Sequence, residues 1–421
     1  MSGSLELMPY TARLVDSTLA DLLAQLPALL LTGPRASGKT TTARRLAETY
    51  VRLDHEAEAV AFRADPDAAL AGLPEPILLD EWQAVPGVLG AVKRAVDDGF
   101  RPGRFLLTGS VRADLDTPTW PGTGRLVRLR MYGLTRREIV GHPTGMTFVD
   151  RLAGADPTAF TTRGEIPDLR GYLELALTGG FPEPALTLTG RARQAWLESY
   201  LDQLLTRDAP TVDGARDPAR LRRFFEALAL NTAGVVEAKT LYDAAGINRR
   251  TAVAYEELLV SLFVLEYLPA WTSNRLSRLV RGAKRHVIDT ALVGAALRLD
   301  VNALLRHGDL LGRILESFVV GQIRPELEIS PARPRLYHLR EKEGRREVDL
   351  LAELAADQVV AVEVKATAAP DRGDARHLSW LRDSLGDRFL AGAVLHTGPR
   401  TFRLADRIVA VPIAALWLAE G

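Results

Sequence analysis

A chain of 421 residues with 47% apolar and 25% charged residues is long enough for two or three folded domains. Its formal net charge is zero, so only local clusters of arginine and lysine can point to nucleic acid. It has no cysteine, which excludes disulfides, thiolate zinc sites and cysteine nucleophiles together and fits a reducing compartment.

The most apolar early stretch, Leu22 to Leu31, is interrupted by Gln25 and Pro27. A membrane span needs roughly 20 apolar residues, so none is expected here. The start of the chain shows no basic region followed by a cleavage site, and the expected compartment is the cytoplasm. Ala28 to Leu31 suits a buried parallel strand. It runs directly into Gly33-Pro34-Arg35-Ala36-Ser37-Gly38-Lys39-Thr40-Thr41, a complete phosphate-binding loop, with a helix expected over Thr41 to Tyr50. The glycines let successive backbone N–H groups turn toward phosphate oxygens. Lys39 is expected on the β- and γ-phosphates of ATP, and Thr40 on Mg²⁺.

A second strand is expected at Val51 to Asp54, then another at Pro76 to Glu81 that ends in two carboxylates. Asp80 is the candidate for the Mg²⁺ shell and Glu81 the candidate base for the attacking water. Arg104 to Ser110 reads as a further strand, with Thr108 and Ser110 as candidate γ-phosphate sensors. Arg125 is a candidate arginine finger acting on a neighbour's nucleotide, which implies a homo-oligomer.

Five segments occur in a fixed order: Tyr10-Thr11-Ala12-Arg13-Leu14, the phosphate loop, Leu79-Asp80-Glu81-Trp82-Gln83, Leu107-Thr108-Gly109-Ser110 and Gly179-Gly180-Phe181-Pro182-Glu183. This order resembles the AAA+-type P-loop ATPases of bacteria and archaea whose C-terminal half is a nuclease-fold domain of unknown function. The resemblance implies ATP as ligand, with Mg²⁺.

In the middle of the chain, Leu221 to Asn231, Thr240 to Ala245 and Arg249 to Leu262 have helical periodicity, and Val264 to Leu268 reads as a wing strand. The tight turn Gly246-Ile247-Asn248 makes the last two helices a helix-turn-helix within a winged-helix domain. Asn248 is placed to cap the second of them. Arg249 and Arg250 at that helix start, with Arg275, Arg278, Arg281, Lys284 and Arg285 after the wing strand, are the candidate nucleic-acid contacts. The alternative use of such a module is protein contact.

Near the C-terminus a helix (Arg313 to Ile323), three strands (Arg335 to Leu339, Glu347 to Leu351, Val359 to Val364), a helix (Asp374 to Ser384) and a strand (Phe389 to Leu395) are expected. That order resembles the core of PD-(D/E)xK nucleases. Glu363 and Lys365 alternate with Val364 and so share a face. Asp349 and Glu363, with Glu316 from the preceding helix, are candidate Mg²⁺ ligands, and Lys365 is the candidate catalytic lysine. His377 on the following helix is read as packing or surface, the alternative being that it faces the site.

The expected organisation is an α/β AAA+-like ATPase domain over 1–150, a helical linker over 151–218, a winged helix over 219–310 and a nuclease-like α/β domain over 311–421. The expected function is ATP hydrolysis coupled to Mg²⁺-dependent cleavage of nucleic acid, DNA in particular. The alternative is a nucleotide-gated DNA- or partner-binding regulator whose nuclease fold is silent.

Overall fold

The computed structural model describes residues 9–109, 124–154, 160–206, 217–273, 282–341 and 345–418. The first unit is a five-stranded parallel sheet of β1 (Ala28–Thr32), β2 (Thr49–Arg52), β3 (Ile77–Asp80), β4 (Phe105–Gly109) and β5 (Val127–Arg130), in the order β2-β3-β4-β1-β5. The strands β1, β3 and β4 are buried along their whole length, as helices on both faces of a parallel sheet require. One face packs on helix Val88–Asp98 through Val88, Val92 and Val96; the other packs on helix Asp16–Leu23 through Leu19 and Leu23.

The helix after the phosphate loop is shorter than expected. It covers Lys39–Arg44 only, and β2 already begins at Thr49. Thr49, Tyr50 and Val51 are strand-forming residue types, and the Glu48 and Thr49 N–H groups donate to the Pro76 carbonyl beside β3.

The middle of the chain packs helices Leu169–Thr178, Gly190–Thr206, Pro218–Leu230, Ala238–Ala245 and Arg249–Ser261 around an aliphatic and aromatic core. Gly246 ends Ala238–Ala245 at φ +66°, a conformation that favours glycine, and Asn248 Oδ1 then caps Arg249–Ser261 by accepting from Thr251 N. An antiparallel ribbon follows, β6 (Leu265–Leu268) with β7 (Lys284–Val287).

The C-terminal sheet has six strands, β8 (Arg335–Arg340), β9 (Glu347–Glu353), β10 (Val359–Lys365), β11 (Phe389–His396), β12 (Phe402–Ala405) and β13 (Ile408–Pro412), in the order β12-β13-β11-β10-β9-β8. β12 and β13 lie beyond the strands expected from the sequence. Alternate residues of β10 serve opposite faces. Val360 and Val362 pack with the long helix Gly308–Glu326, and Val359 and Ala361 pack with helix Arg376–Leu385. Edge strand β8 does not end the structure. His338 N donates to Pro269 O and Trp271 N donates to His338 O, so the chain leaving the ribbon covers that edge.

The long helix joins all three parts of the chain. Glu316 accepts from Lys284 of β7, which also pairs with Asp349 of β9, Ser317 bonds Thr232 and His286, and Gln322 Oε1 accepts from Arg136 N. At its end Glu326 accepts from Arg137 Nη1 at 2.7 Å and from Phe148 N at 2.6 Å.

Candidate functional site

The phosphate loop leaves the C-terminal end of β1. Gly33 is required there, because a Cβ would sit 1.9 Å from Met131 O. Gly38 turns the backbone at φ +92° into helix Lys39–Arg44. Lys39 is 5% exposed and its Nζ donates to the carbonyls of Gly33 (3.1 Å) and Pro34 (2.7 Å); Ser37 Oγ also donates to Pro34 O.

β4 lies between β1 and β3, pairing Thr108 with Leu31 and Leu107 with Leu79. That register delivers Thr108 to Asp80. Asp80 Oδ1 accepts from Thr40 Oγ1 at 2.7 Å and from Thr108 Oγ1, and Oδ2 accepts from Tyr50 OH at 3.1 Å. Burial and the Asp80 charge push the Tyr50 phenol up to about 12. Glu81 follows in a left-handed conformation (φ 51°) and accepts from Gln83 Nε2. Thr40, Lys39, Asp80, Glu81 and Thr108 thus converge at the C-terminal ends of β1, β3 and β4. Thr40 and Asp80 offer the hydroxyl and carboxylate oxygens that a hard divalent cation takes, so these residues fit Mg²⁺. Ser110 lies outside the described residues.

Burial pushes the Lys39 ammonium down to about 8, with Glu81 and Asp80 opposing the shift. A phosphate needs the charged form. Above pH 8, the affinity for a non-hydrolysable ATP analogue is therefore expected to fall by about tenfold per pH unit, the limit for one required proton. Lys39→Met, which lacks the ammonium, is expected to bind the analogue too weakly to titrate at any of these pH values. Fluorescence titration checks it, and a wild-type affinity constant from pH 7 to 10 would contradict it.

Arg13, which sequence reasoning assigned no role, holds the loop from below. It is 5% exposed, and its guanidinium donates to Glu138 Oε1 (2.9 Å), Ser37 O (2.8 Å) and Tyr132 O (2.7 Å). Arg125 is exposed just before β5, whose Val127 pairs with Leu29 near the start of β1, opposite the phosphate loop. Its Nε donates to Asp97 Oδ1 at 2.7 Å.

The C-terminal carboxylates are arranged differently from the expectation. Lys284, expected on nucleic acid, is 1% exposed. Its Nζ lies 2.8 Å from Glu316 Oε1, 3.0 Å from Glu347 Oε1 and 3.4 Å from Asp349 Oδ1. Burial alone would lower this ammonium, yet Glu316, Asp349 and Glu347 together hold it above its ordinary value, and it stays charged. Asp349 Oδ2 accepts from Val364 N at 2.9 Å, where β10 separates from β9. Glu363 is 2% exposed and pairs with Lys365 Nζ at 2.9 Å, and His377 Nδ1 stands 3.7 Å from its other oxygen. His377 is therefore a member of this cluster, held above its ordinary value by the Glu363 carboxylate.

Glu316 and Asp349 thus share one ammonium, and Glu363 faces another. Among the described residues no group of three or more histidine, aspartate and glutamate side chains is placed to hold a metal ion. The donor set does not fit Mg²⁺ in this arrangement, because a tethered cation already neutralises it.

The basic segment also divides. Arg285 Nε donates to Glu256 and its Nη1 to Val236 O, so Lys284 and Arg285 are both used within the protein. Arg249 and Arg250 are exposed at the start of their helix. Arg275, Arg278 and Arg281 lie outside the described residues.

Residues 25–140 match the AAA domain family. Residues 169–303 and 311–416 match two domains of unknown function, DUF8612 and DUF4143. The uncharacterized protein Rv2008c of Mycobacterium tuberculosis is 30% identical over 396 residues, covering 93% of this chain and 81% of that protein. The chain belongs to its family. The uncharacterized protein Mb2031c of Mycobacterium bovis, another member, matches with the same identity and coverage. In this family member the unit around Asp80 is an AAA-type ATPase domain and ATP is its ligand. Among solved structures, the Walker-type ATPase PABY2304 of Pyrococcus abyssi aligns with a TM-score of 0.41 at 15% identity, over 70% of this chain and 99% of that one. The Orc1 protein of Aeropyrum pernix in complex with DNA aligns at 0.28 and 15%, over 69% and 93%. Overlaps this low leave the assignment to the sequence matches. No helix among the described residues is long and apolar enough to cross a membrane.

Proposed function

We propose that this family member is an ATP-driven regulator that grips nucleic acid, DNA in particular, through its middle unit, and that its C-terminal unit is a binding rather than a cutting module. The hydrolytic half of this reading rests on one observation, the Asp80 carboxylate bonded to Thr40, Thr108 and Tyr50 beside Lys39 and Glu81. Mg²⁺, held by Thr40 and Asp80, offsets phosphate charge when bound. Glu81 orients and deprotonates the attacking water, and Lys39 draws the β- and γ-phosphates. Thr108, bonded to Asp80, reports the presence of the γ-phosphate to the end of β4. Arg125 serves a neighbouring copy in a homo-oligomer, and the cytoplasm is the proposed compartment.

For the C-terminal unit, the Lys284 ammonium among Glu316, Glu347 and Asp349 favours the silent reading. One observation favours cleavage instead: Glu363 Oε1 is buried without a hydrogen-bond partner, on the sheet face that also carries Lys365.

Both readings meet in one experiment. Labelled single- and double-stranded DNA and RNA are incubated with the full chain, Mg²⁺ and either ATP or ADP, and both retention and cutting are scored. The expected result is retention of DNA that differs at least tenfold between nucleotides, weakened in Arg249→Glu/Arg250→Glu, with no cutting. Equal retention in every nucleotide state would sink the regulator. Cutting that Lys365→Ala abolishes would establish the nuclease in its place.

A further inference from the structure

The geometry points to Lys284 as a built-in cation that occupies the C-terminal carboxylate cluster and excludes divalent metal from it. The inference deepens the silent reading of that cluster and is independent of ATP hydrolysis.

Three observations carry it. First, the lysine comes from a different part of the chain than the acids. Lys284 is the first residue of β7, Glu316 sits on the long helix, and Glu347 and Asp349 on β9. The ribbon is held in place independently, since the chain leaving β6 pairs with His338 on β8, and Trp271 Nε1 donates to Glu353. His338 Nε2 also contacts Gly282 O at 3.0 Å, two residues before the lysine. The plug therefore has its own anchorage on the sheet.

Second, the spacing is that of an ammonium. Oxygens stand 2.8, 3.0 and 3.4 Å from Nζ, the range of charge-assisted hydrogen bonds and close ion pairs. Mg²⁺ requires oxygens at about 2.0–2.1 Å in octahedral array. A metal could enter only after Nζ leaves and the carboxylates draw inward.

Third, the acid that the ammonium neutralises also rides on the helix that meets the ATPase unit. Ten residues beyond Glu316, Glu326 accepts from Arg137 and Phe148, and Gln322 accepts from Arg136 N. Arg137 adjoins Glu138, which holds Arg13 and through it the phosphate-loop carbonyl of Ser37. The phosphate loop is thus connected, through hydrogen bonds, the adjoining residues Arg137 and Glu138 and one helix, to the seat of Lys284.

Mn²⁺ binding to the full chain without nucleotide, followed by electron paramagnetic resonance of the free ion, tests this. Wild type and Asp349→Asn are expected to bind Mn²⁺ identically, since the cluster takes none. Lys284→Met is expected to gain one site at least tenfold tighter than any in wild type, lost again in Lys284→Met/Asp349→Asn. Wild-type Mn²⁺ binding that disappears in Asp349→Asn would overturn the exclusion, and needs no Lys284 variant to fold. A folded Lys284→Met chain that gains no site would overturn it as well. Nucleic-acid cutting lost in Lys365→Ala is a separate failure, that of the silent reading itself.

Discussion

Lys284→Met is expected to destabilise the full-length chain by about 3–5 kcal/mol, the usual consequence of removing one partner from a buried ion cluster. Methionine fills much of the same volume, so the effect isolates charge from packing. Three carboxylates, Glu316, Glu347 and Asp349, would then face one another without the cation that separates them. The loss should depend on pH with a defined sign. Burial already raises Glu316, with Asp349 adding to the rise and Lys284 opposing it. Without Lys284 the rise is larger. A carboxyl raised in the folded state holds its proton there while the unfolded chain has released it, so stability falls as pH climbs from the ordinary glutamate value toward the raised one. Glu316 is already held up at about 8 in wild type, so both chains lose this contribution alike below that pH, and the variant should be nearest to wild type at about pH 7 and furthest from it at about pH 10. Denaturant unfolding at the two pH values measures this; an equal difference at both would mean that the charge of Lys284 contributes nothing.

Arg13→Ala is the second large effect. Arg13 ties the loop carbonyl of Ser37 to the Tyr132 carbonyl and to Glu138, which itself closes a capping box with Thr135. Removing it deletes charge-assisted bonds and leaves Glu138, 3% exposed, without its counter-charge. A loss of about 3–5 kcal/mol in stability is expected. ATP affinity should also fall by about tenfold or more, because a loop free to shift must be ordered at binding. Arg13→Lys should recover stability only in part, since one ammonium cannot span three acceptors in a fixed fork. Thermal unfolding and nucleotide titration report the two effects separately, and wild-type values for Arg13→Ala in both would refute the clamp.

The parts of this protein that were legible in its sequence are those whose geometry is local. The phosphate loop, the run ending in Asp80-Glu81 and the strand ending at Thr108 each declare themselves within about ten residues, and a parallel sheet aligns their ends. The helix after the loop was overextended because Thr49 and Tyr50 are claimed by β3, a pairing with residues that lie far along the chain. Lys284 was misplaced for the same reason. Its partners lie 32 to 65 positions away, and beside Arg285 it reads as a basic surface. A signal was nonetheless present. The chain has only six lysines among 53 basic residues, and in so arginine-rich a chain a lysine marks a place for a compact ammonium, as at Lys39 and Lys365. The same scarcity applies to Lys284. Glu347 carried no such signal, being one of many acids, and His377, placed on the helix beside the site, is drawn in by Glu363 rather than left to packing.

ATP turnover by the Glu81→Gln chain tests the central claim, that hydrolysis occurs at the cluster around Asp80. The full chain, Lys39→Ala and Glu81→Gln are compared for nucleotide binding and for steady-state phosphate release. Loss of the general base should slow release by about 10²–10⁴-fold while ATP still binds as in wild type. Lys39→Ala should lose binding itself. Turnover by Glu81→Gln at the wild-type rate would contradict the account, because no other role assigned to this cluster supplies a base for the attacking water.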